Sequence, residues 1–260
     1  MKVLKFADWI LSTPAWLQGL PEDLQRIFFQ FYQTFIYEDR WTFFVDGLKV
    51  TFIVTIGALL LGVILGMLVG ILRSTHDSFR AKKPPILLRI INLICQVYLT
   101  VIRGTPMMVQ LLIMGFVVMV PKSDVETIAC AIITLGINSG AYVAEIARSG
   151  IMSINAGQME AGRSLGLNYA QTMRYIIIPQ AFKNILPALG NEMIILLKDT
   201  SLVTVIAATD VTKAAQIIVS KTYTATVPYI CLAAIYLILV MILTKLLGIL
   251  ERRLRESDRR

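Results

Sequence analysis

The residues that could do chemistry in this sequence are charges placed inside or beside long apolar stretches. A charged side chain at the centre of a bilayer costs about 2.5–3.5 kcal/mol on insertion scales, so it needs a partner or a wet cavity. A solute carrying both signs of charge would need such groups along its path. Structural pairing between helices explains the same residues, and both interpretations stay open. The candidate path residues are Glu192, Lys198, Asp199, Thr200 and Ser201, with Arg103 and Glu145 as weaker members.

Residue sets for catalysis or for tight metal binding are missing from the sequence. His76 is the only histidine, which excludes a metal site with several histidine ligands. Cys95, Cys130 and Cys231 lie in apolar runs without paired spacing and are expected to be small buried hydrophobes. The chain also lacks the glycine-rich loop that cradles nucleotide phosphates. The sequence therefore predicts neither an enzyme nor a nucleotide-binding protein.

Composition and hydropathy indicate an all-α polytopic membrane protein with five transmembrane helices. The chain has 260 residues, of which 56% are hydrophobic, and a formal net charge of +8. Apolar runs of roughly 20 residues have the length that crosses a bilayer as a helix. Because the bases cluster in short loops beside these runs, they indicate membrane orientation, and no nucleic-acid partner is expected. The predicted spans cover residues 48–72, 101–120, 127–147, 185–208 and 228–250.

Charge at the ends of the spans predicts their orientation. The loop at 73–89 carries five Lys/Arg against one acid, and the tail at 251–260 carries five arginines. Cytoplasmic loops concentrate positive charge, so we expect the N-terminus outside and the C-terminus inside. Residues 1–47 then form an extracytoplasmic segment, in which the apolar positions of 22–37 predict an amphipathic helix lying at the membrane interface. Residues 48–250 form the transmembrane domain.

Glycine and proline predict a break in the second span. Gly104 and Pro106 indicate a kink at its inner end, after a lead-in helix at 90–101. Arg103 lies beside this kink, and anchoring the kinked segment is favoured over ligand contact.

Two regular spacings predict helix faces. Gly62, Gly66 and Gly70 recur every four residues, which favours close packing against another helix. In the third span, polar side chains at i, i+4 and i+7 form a stripe that must face protein or water rather than lipid. The stripe consists of Asn138, Tyr142 and Glu145. For Glu145, a structural role is favoured over contact with a solute.

A polar loop at 148–184 interrupts the apolar sequence. It contains two short helical patterns, at 158–165 and 169–177, which Gly166 separates. Pro179 is expected to end the second pattern, because proline has no N–H to donate. A loop so long and so patterned is typical of a surface that another protein binds.

This loop resembles the EAA loop of ABC-importer permeases. The usual form has Ala where this chain has Gly162, and Leu where it has Ile178. Four further stretches are similar to the polar amino-acid uptake subfamily: IRGTP at 102–106, VQ at 109–110, AYVAEI at 141–146 and LKDTSL at 197–202. The loop residues that carry the resemblance are Glu160-Ala161-Gly162, Gly166 and the pair Ile178-Pro179.

The resemblance implies a type I importer fold like that of methionine permeases, and a role for the loop. Its first helix would be a coupling helix that docks on a separate ATPase dimer, which would hold ATP and Mg²⁺. Glu160 is expected in the first turn, where negative charge suits the helix dipole, although a plain helix-start acid explains it too. The coupling residues implied are Gln158, Glu160, Ala161, Gly162, Arg163, Leu165 and Gly166.

The same resemblance implies partners and a location. These are the lipid bilayer of a bacterial inner membrane, a second permease copy or paralogue, and an extracytoplasmic amino-acid-binding protein. No cofactor is expected in this chain. The alternatives are an ion-coupled carrier or channel, an ABC permease for a different solute, and a membrane anchor. Survival of uptake after ATP depletion would favour the carrier, whereas charges inside the spans speak against a plain anchor.

Overall fold

A computed structural model of the chain describes residues 5–77 and 84–258, with side chains up to residue 254 in the last helix. All regular structure in this part is helical. The helices, numbered in chain order, are α1 (Phe6–Leu11), α2 (Ala15–Gln18), α3 (Glu22–Phe31), α4 (Trp41–Asp77), α5 (Ile86–Gly104), α6 (Met107–Ile113), α7 (Asp124–Met152), α8 (Ala156–Ser164), α9 (Tyr169–Thr172), α10 (Ile178–Asp199), α11 (Val211–Thr222) and α12 (Thr226–Asp258). Wider π turns cover Tyr32–Ile36, Met114–Val118 and Met173–Ile177, and tighter 3₁₀ turns cover Tyr37–Asp39 and Thr200–Ile206.

The predicted five spans are confirmed when a bent pair of helices counts as one span. Among the described residues, α4, α5, α7 and α12 are each long and apolar enough to cross a bilayer. The remaining span, which is the fourth in chain order, runs from α9 through α10 and, after a bend of 49°, into α11. Residues 209–227, between the predicted fourth and fifth spans, consist largely of the helix α11.

The predicted boundaries of the second span are wrong, although the predicted break is confirmed. Residues 90–101 are not a separate lead-in helix but part of α5, which continues to Gly104. The break follows because Pro106 restricts Thr105 to extended backbone, with φ −119° and ψ 142°. Beyond it, residues 107–118 form only α6 and a π turn. Counting back from the outer end assumed one straight helix, which the break prevents.

Pro179 does not end the second helix of the polar loop, contrary to expectation. The chain passes from α9 through the π turn Met173–Ile177 directly into α10, with Pro179 in the first turn of that helix. A first-turn residue needs no intrahelical N–H donor, so proline is tolerated there.

Glycines bring α4 and α7 into contact along most of their length. A Cβ added at Gly62 would lie 2.8 Å from Ser139 Oγ, and one at Gly66 would lie 2.4 Å from Val143 Cβ. At Gly70 the distance to a neighbouring Cβ atom on α7 would be 2.7 Å. From one contact to the next, the residue numbers increase along both helices, so α4 and α7 run parallel. The ends of α4 and α7 that lead into the basic loop and the polar loop therefore lie on the same side.

The predicted amphipathic helix near the N-terminus is present as α3. Leu24, Ile27 and Phe28 are exposed, whereas Phe29 packs on Trp9 of α1 with ring centroids 5.2 Å apart. Contact of the exposed face with lipid stays a prediction. Parts of other predicted segments lie outside the described residues: 1–4 of the N-terminal segment, 78–83 of the basic loop and 259–260 of the tail.

We predict that Gly66→Ala lowers the thermal stability of the permease. The new Cβ would lie 2.8 Å from the backbone nitrogen of Ala144 as well as against Val143, and overpacking of this kind costs about 1–3 kcal/mol. The control is Gly248→Ala on α12, where a Cβ meets nothing within 4 Å. Thermal unfolding of the detergent-purified protein measures both. Equal melting temperatures for the two variants would contradict the packing account.

Candidate functional site

The first helix of the polar loop, α8, begins two residues earlier than predicted. Asn155 is its N-cap, and the Asn155 side chain accepts a hydrogen bond of 2.8 Å from the Gly157 N–H. Glu160 consequently lies past the first turn, so the expected helix-dipole contact is wrong. Glu160 and Arg163 are exposed, and Leu165, immediately after α8, is 80% exposed. An apolar side chain this open at the tip of a polar loop is available to a partner.

A tight turn reverses the chain after α8 and starts the next helix. Gly166 has φ +83°, a left-handed conformation that glycine adopts without a Cβ penalty. Asn168 then caps α9 reciprocally with Gln171, through two hydrogen bonds of 2.9 Å. This capping box fixes the start of α9 directly after the turn.

Packing gives a reason for the unusual glycine at position 162. Gly162 is buried, and a Cβ there would lie 2.6 Å from Thr172 Cγ2 and 3.1 Å from Ile176 Cδ1. The two arms of the loop therefore approach each other more closely than alanine would allow here. The glycine fits this contact, which offsets its lower helix propensity.

The loop is mounted firmly on the ends of two spans. Met159 and Ile176 pack against a buried cluster that includes Val143 of α7 and Ile185 of α10. Asn184 of α10 also donates a 2.9 Å hydrogen bond to the Ser153 hydroxyl at the end of α7. These contacts join the base of the loop to both helices, and α8 itself packs on α9 and on the π turn Met173–Ile177.

An ion pair joins the end of α4 to the same region. The Arg148 guanidinium of α7 contacts a carboxylate oxygen of Asp77 at 2.8 Å. Asp77 is the last residue of α4, and Arg148 lies one turn before the end of α7. The pair therefore closes the α4–α7 contact at the side where the polar loop begins.

Two of the predicted path residues meet in a polar cavity. Arg103 of α5 forms an ion pair with Glu145 of α7, and its guanidinium lies 5.4 Å from the centre of the Tyr142 ring. A cation over an aromatic face is an attractive arrangement. The predicted stripe on α7 thus faces α5. The cavity beside it has a volume of about 540 Å³ and is lined by Arg73, Gln96, Thr100, Arg103, Tyr142 and Glu145.

The break between α5 and α6 is held by one glutamine. The Gln110 amide nitrogen donates to the Ile102 carbonyl at 2.7 Å and to the Thr105 hydroxyl at 2.8 Å. Its amide oxygen accepts from Asn138 of α7 at 3.0 Å. Carbonyls at a helix end need partners outside the helix, and Gln110 supplies one across the break. Asn138, the first residue of the predicted stripe, therefore helps to hold Gln110 at the break.

The other predicted path residues lie on α10 and the turn after it. Glu192 is buried and accepts a 2.8 Å hydrogen bond from the Ser139 hydroxyl of α7. Lys198 is exposed and Asp199 half-buried, at the end of α10. Thr200 is buried and donates to the Leu197 carbonyl at 2.7 Å, while Ser201 is half-buried. These residues are not among those that line the cavity at Arg103 and Glu145.

Sequence reasoning missed several polar residues around these sites. Gln96 and Thr100 precede Arg103 by seven and three residues, and this spacing would have indicated one face of α5. Asp210 is fully buried and caps α11 by accepting from the Thr212 and Lys213 N–H groups at 3.0 and 2.9 Å. An aspartate before a helical pattern is a recognisable N-cap signal.

Within the described residues, no group of three or more His, Cys, Asp or Glu side chains could hold a metal ion.

Comparison with known proteins identifies the kind of chain that carries these features. Residues 87–256 match the family described as "Binding-protein-dependent transport system inner membrane component". The chain belongs to this family. It is therefore a permease component of an ABC importer, which is a transporter component, and a multi-pass bacterial inner-membrane protein. This decides against the ion-coupled carrier, the channel and the plain anchor.

Curated relatives match almost over their whole length. The glutamine transport system permease protein GlnP of Escherichia coli strain K12 is 37% identical over 213 residues, which cover 81% of this chain and 92% of that protein. The arginine transport system permease protein ArtQ of Bacillus subtilis strain 168 is 36% identical over 218 residues, covering 83% and 94%.

Solved structures show the same fold. An amino acid ABC transporter crystallised with histidines matches with a TM-score of 0.73 and 42% identity, covering 84% of this chain and 98% of that chain. The MetNI methionine ABC transporter in an inward-facing conformation matches with a TM-score of 0.67 at 19% identity, covering 82% and 97%. The predicted type I importer fold, similar to that of a methionine permease, is therefore confirmed.

We predict that Gln110→Leu destabilises the break between α5 and α6. The Ile102 carbonyl and the Asn138 amide would each lose a partner, and an unsatisfied buried polar group costs about 1–3 kcal/mol. The matched control is Met108→Leu, an exposed position on the same short helix. Thermal unfolding in detergent compares the two. A Gln110→Leu variant as stable as this control would show that the glutamine does not hold the break.

Proposed function

We propose that this chain is the permease subunit of an ATP-driven importer for polar amino acids. The observation that carries the proposal is the exposed α8 helix with Leu165 at its end, mounted on α7 and α10 in a chain of this family. Such a projection can transmit force only if a partner holds it. The relatives named as glutamine and arginine permeases, and the solved amino acid transporter, favour amino acids over a different solute.

The partner on the cytoplasmic side would be a dimer of ABC ATPase subunits. Glu160, Arg163 and Leu165 offer one acid, one base and one apolar contact on the exposed side of the loop. Gln158, Ala161 and Gly166 complete the proposed docking surface with Gly162 behind it. ATP and Mg²⁺ would be held by the ATPase subunits, and this chain would need no cofactor of its own.

The orientation that fits this role has the N-terminus outside and the C-terminus inside. The parallel course of α4 and α7 supports it, because the basic stretch after α4 and the polar loop after α7 then share one side. Positive charge favours the cytoplasm for that side. The extracytoplasmic amino-acid-binding protein would deliver solute at the opposite side.

A second permease subunit, identical or paralogous, would complete the path. The apolar stretch of α12 has none of its residues buried within the chain, so it needs lipid or another permease against it. When the ATPase subunits close, their docked loops would be drawn together. Because α8 is packed on α7 and α10, that movement would shift both helices as a rigid body and alternate access between the two sides.

The charged residues along the path can bind the two ends of an amino acid. Asp199 and Glu192 offer negative charge for the ammonium group, and Lys198 offers positive charge for the carboxylate. Thr200 and Ser201 add hydroxyl groups beside them. Arg103 and Glu145 already neutralise each other in the ion pair, so we assign them first to holding α5 against α7. The solute would then meet unpaired charge mainly at the end of α10.

We predict that Glu160→Lys separates the permease from its ATPase. Reversing one charge on the docking surface should reduce copurified ATPase about tenfold, which corresponds to about 1.4 kcal/mol of binding energy. Ala170→Lys, at an exposed position on α9, places a lysine on the other arm of the loop and serves as control. Copurification from mild detergent measures both. Unchanged ATPase recovery with Glu160→Lys would remove this residue from the docking surface.

We predict that Asp199→Ala impairs uptake without affecting assembly. Loss of one charged contact with the solute should reduce ATP-dependent uptake in proteoliposomes about tenfold. The control is Asp46→Ala, which removes an exposed aspartate paired with Lys49. Subunit recovery after purification monitors assembly. Normal uptake by Asp199→Ala would refute the assignment of this residue to the path.

A further inference from the structure

The ion pair between Arg103 and Glu145 uses only part of its hydrogen-bonding capacity. Its hydrogen bond joins Nη1 of Arg103 to Oε1 of Glu145, and neither side chain makes another hydrogen bond to the described residues. A guanidinium has five N–H donors and a carboxylate has two acceptor oxygens. The two side chains are 39% and 44% exposed and line the same cavity, so their remaining donors and acceptor are open to a ligand.

Glu145 lies where two cavities meet. The first, of about 540 Å³, is the cavity between α5 and α7 that also contains Arg103. The second has a volume of about 500 Å³ and lies between α7 and α10, where Ser149, Ser153 and Asn184 line it together with Glu145. A small molecule held at the ion pair can therefore extend into both cavities.

The two cavities differ in charge. The α5–α7 cavity is lined by two bases, Arg73 and Arg103, and by the single acid Glu145. Asp77 lies one turn after Arg73 on α4 but is itself paired with Arg148. The α7–α10 cavity is lined by no Lys or Arg, and apart from Glu145 its polar groups are neutral hydroxyls and an amide. An anionic group therefore fits the first cavity, and a neutral polar group fits the second.

The face of α5 that carries Arg103 is unsuited to lipid. Gln96 and Thr100 are exposed on it, two turns and one turn before Arg103, in a helix long and apolar enough to cross the bilayer. Polar and charged side chains within spanning helices face protein or a water-filled cavity. A face of this kind with both signs of charge suits a solute that also carries both.

We propose that the Arg103–Glu145 pair binds the α-carboxylate and α-ammonium groups of an amino acid whose side chain is neutral and polar, such as an amide. The carboxylate would accept from the remaining N–H groups of Arg103, on the side of Arg73, in the planar arrangement that guanidinium groups favour. The ammonium would donate to Oε2 of Glu145. The solute side chain would enter the α7–α10 cavity, where Ser149 and Asn184 offer hydrogen bonds.

This arrangement discriminates among amino acids by the charge of their side chains. A cationic side chain would find no second acid in the α7–α10 cavity, because Glu145 is taken by Arg103 and by the solute ammonium. An acidic side chain would find no base there. The site rests on the proposed importer function, and at this point of the path it favours glutamine over arginine and glutamate.

Direct binding to the purified importer complex, without the extracytoplasmic binding protein, tests the role of the pair. Tritiated glutamine is added to the complex in lipid nanodiscs, and binding is followed by scintillation proximity. We expect saturable binding that Arg103→Gln and Glu145→Gln each weaken about tenfold, because one charged contact is lost. The matched control Arg26→Gln removes the arginine of an exposed ion pair in α3 and should leave binding unchanged. Glutamine binding that neither substitution at the pair weakens would overturn the site.

The variant Ser149→Asp tests where the solute side chain lies and leaves the ion pair in place. Ser149 is exposed on α7, one turn after Glu145, so an acid there would offer a partner to a cationic side chain. Arginine should compete with tritiated glutamine about tenfold more effectively than in the unmodified complex. The control Ser220→Asp, exposed on α11 outside both cavities, should not change the competition. An unchanged effect of arginine on Ser149→Asp would refute the placement between α7 and α10.

Two further measurements complete the test. In the unmodified complex, arginine and glutamate should each compete about tenfold less effectively than glutamine, and equal competition would overturn the selectivity. ATP-driven uptake in proteoliposomes, with the binding protein added, separates the site from the importer function. Uptake by a complex that does not bind glutamine at the pair refutes the site alone, whereas a lack of ATP-driven uptake of any amino acid refutes the importer function.

Discussion

Polar groups within an apolar helix bundle must find partners inside the chain, and this constraint shapes the structure more than any other. Where no water is at hand, each unpaired polar group costs several kcal/mol. The Arg103–Glu145 ion pair joins α5 to α7, and Ser139 joins α7 to Glu192 of α10. Gln110 satisfies the broken end of α5 and reaches α7. Glu145, Ser139 and Asn138, the partners in three of these contacts, all lie on α7, which is therefore the helix that organises the others.

The polar loop is held rigidly by contacts within the chain. The loop has two short helices, yet it is fixed by Gly162, by the capping box at Asn168 and by the Asn184–Ser153 hydrogen bond. Gly162 lets α8 pack closely on α9, which continues into α10, and the Asn184–Ser153 hydrogen bond joins α10 to the end of α7. A flexible loop would dissipate a displacement at its tip, whereas a loop fixed in this way would pass it on to α7 and α10, as the proposed coupling role requires. The proposed coupling role would therefore depend on stiffness as much as on the exposed side chains.

The sequence predicts the elements well where one local signal decides them. Hydropathy predicts the number of spans, Gly104 and Pro106 predict the break, and the spacing on α7 predicts its inward-facing stripe. The failures have a tertiary cause. The length of α5 could not be read from hydropathy, because apolar residues on both sides of the break look like one span. Pro179 predicts a helix end from sequence alone, because sequence does not show that a π turn joins α9 to α10.

The two kinds of helix contact in this permease differ in the energy needed to rearrange them. Along α4 and α7, backbone approaches backbone at three glycines, so sliding one helix past the other would lose close packing over several turns. The contacts of α5 and α6 with α7 include the ion pair at Arg103 and hydrogen bonds made by Gln110 and Tyr98, and single hydrogen bonds contribute only about 0.5–1.5 kcal/mol each. A force arriving through α8 would therefore move α4 and α7 together. The contacts that yield first would be the polar ones between α7 and α5, which line the cavity containing Arg103 and Glu145.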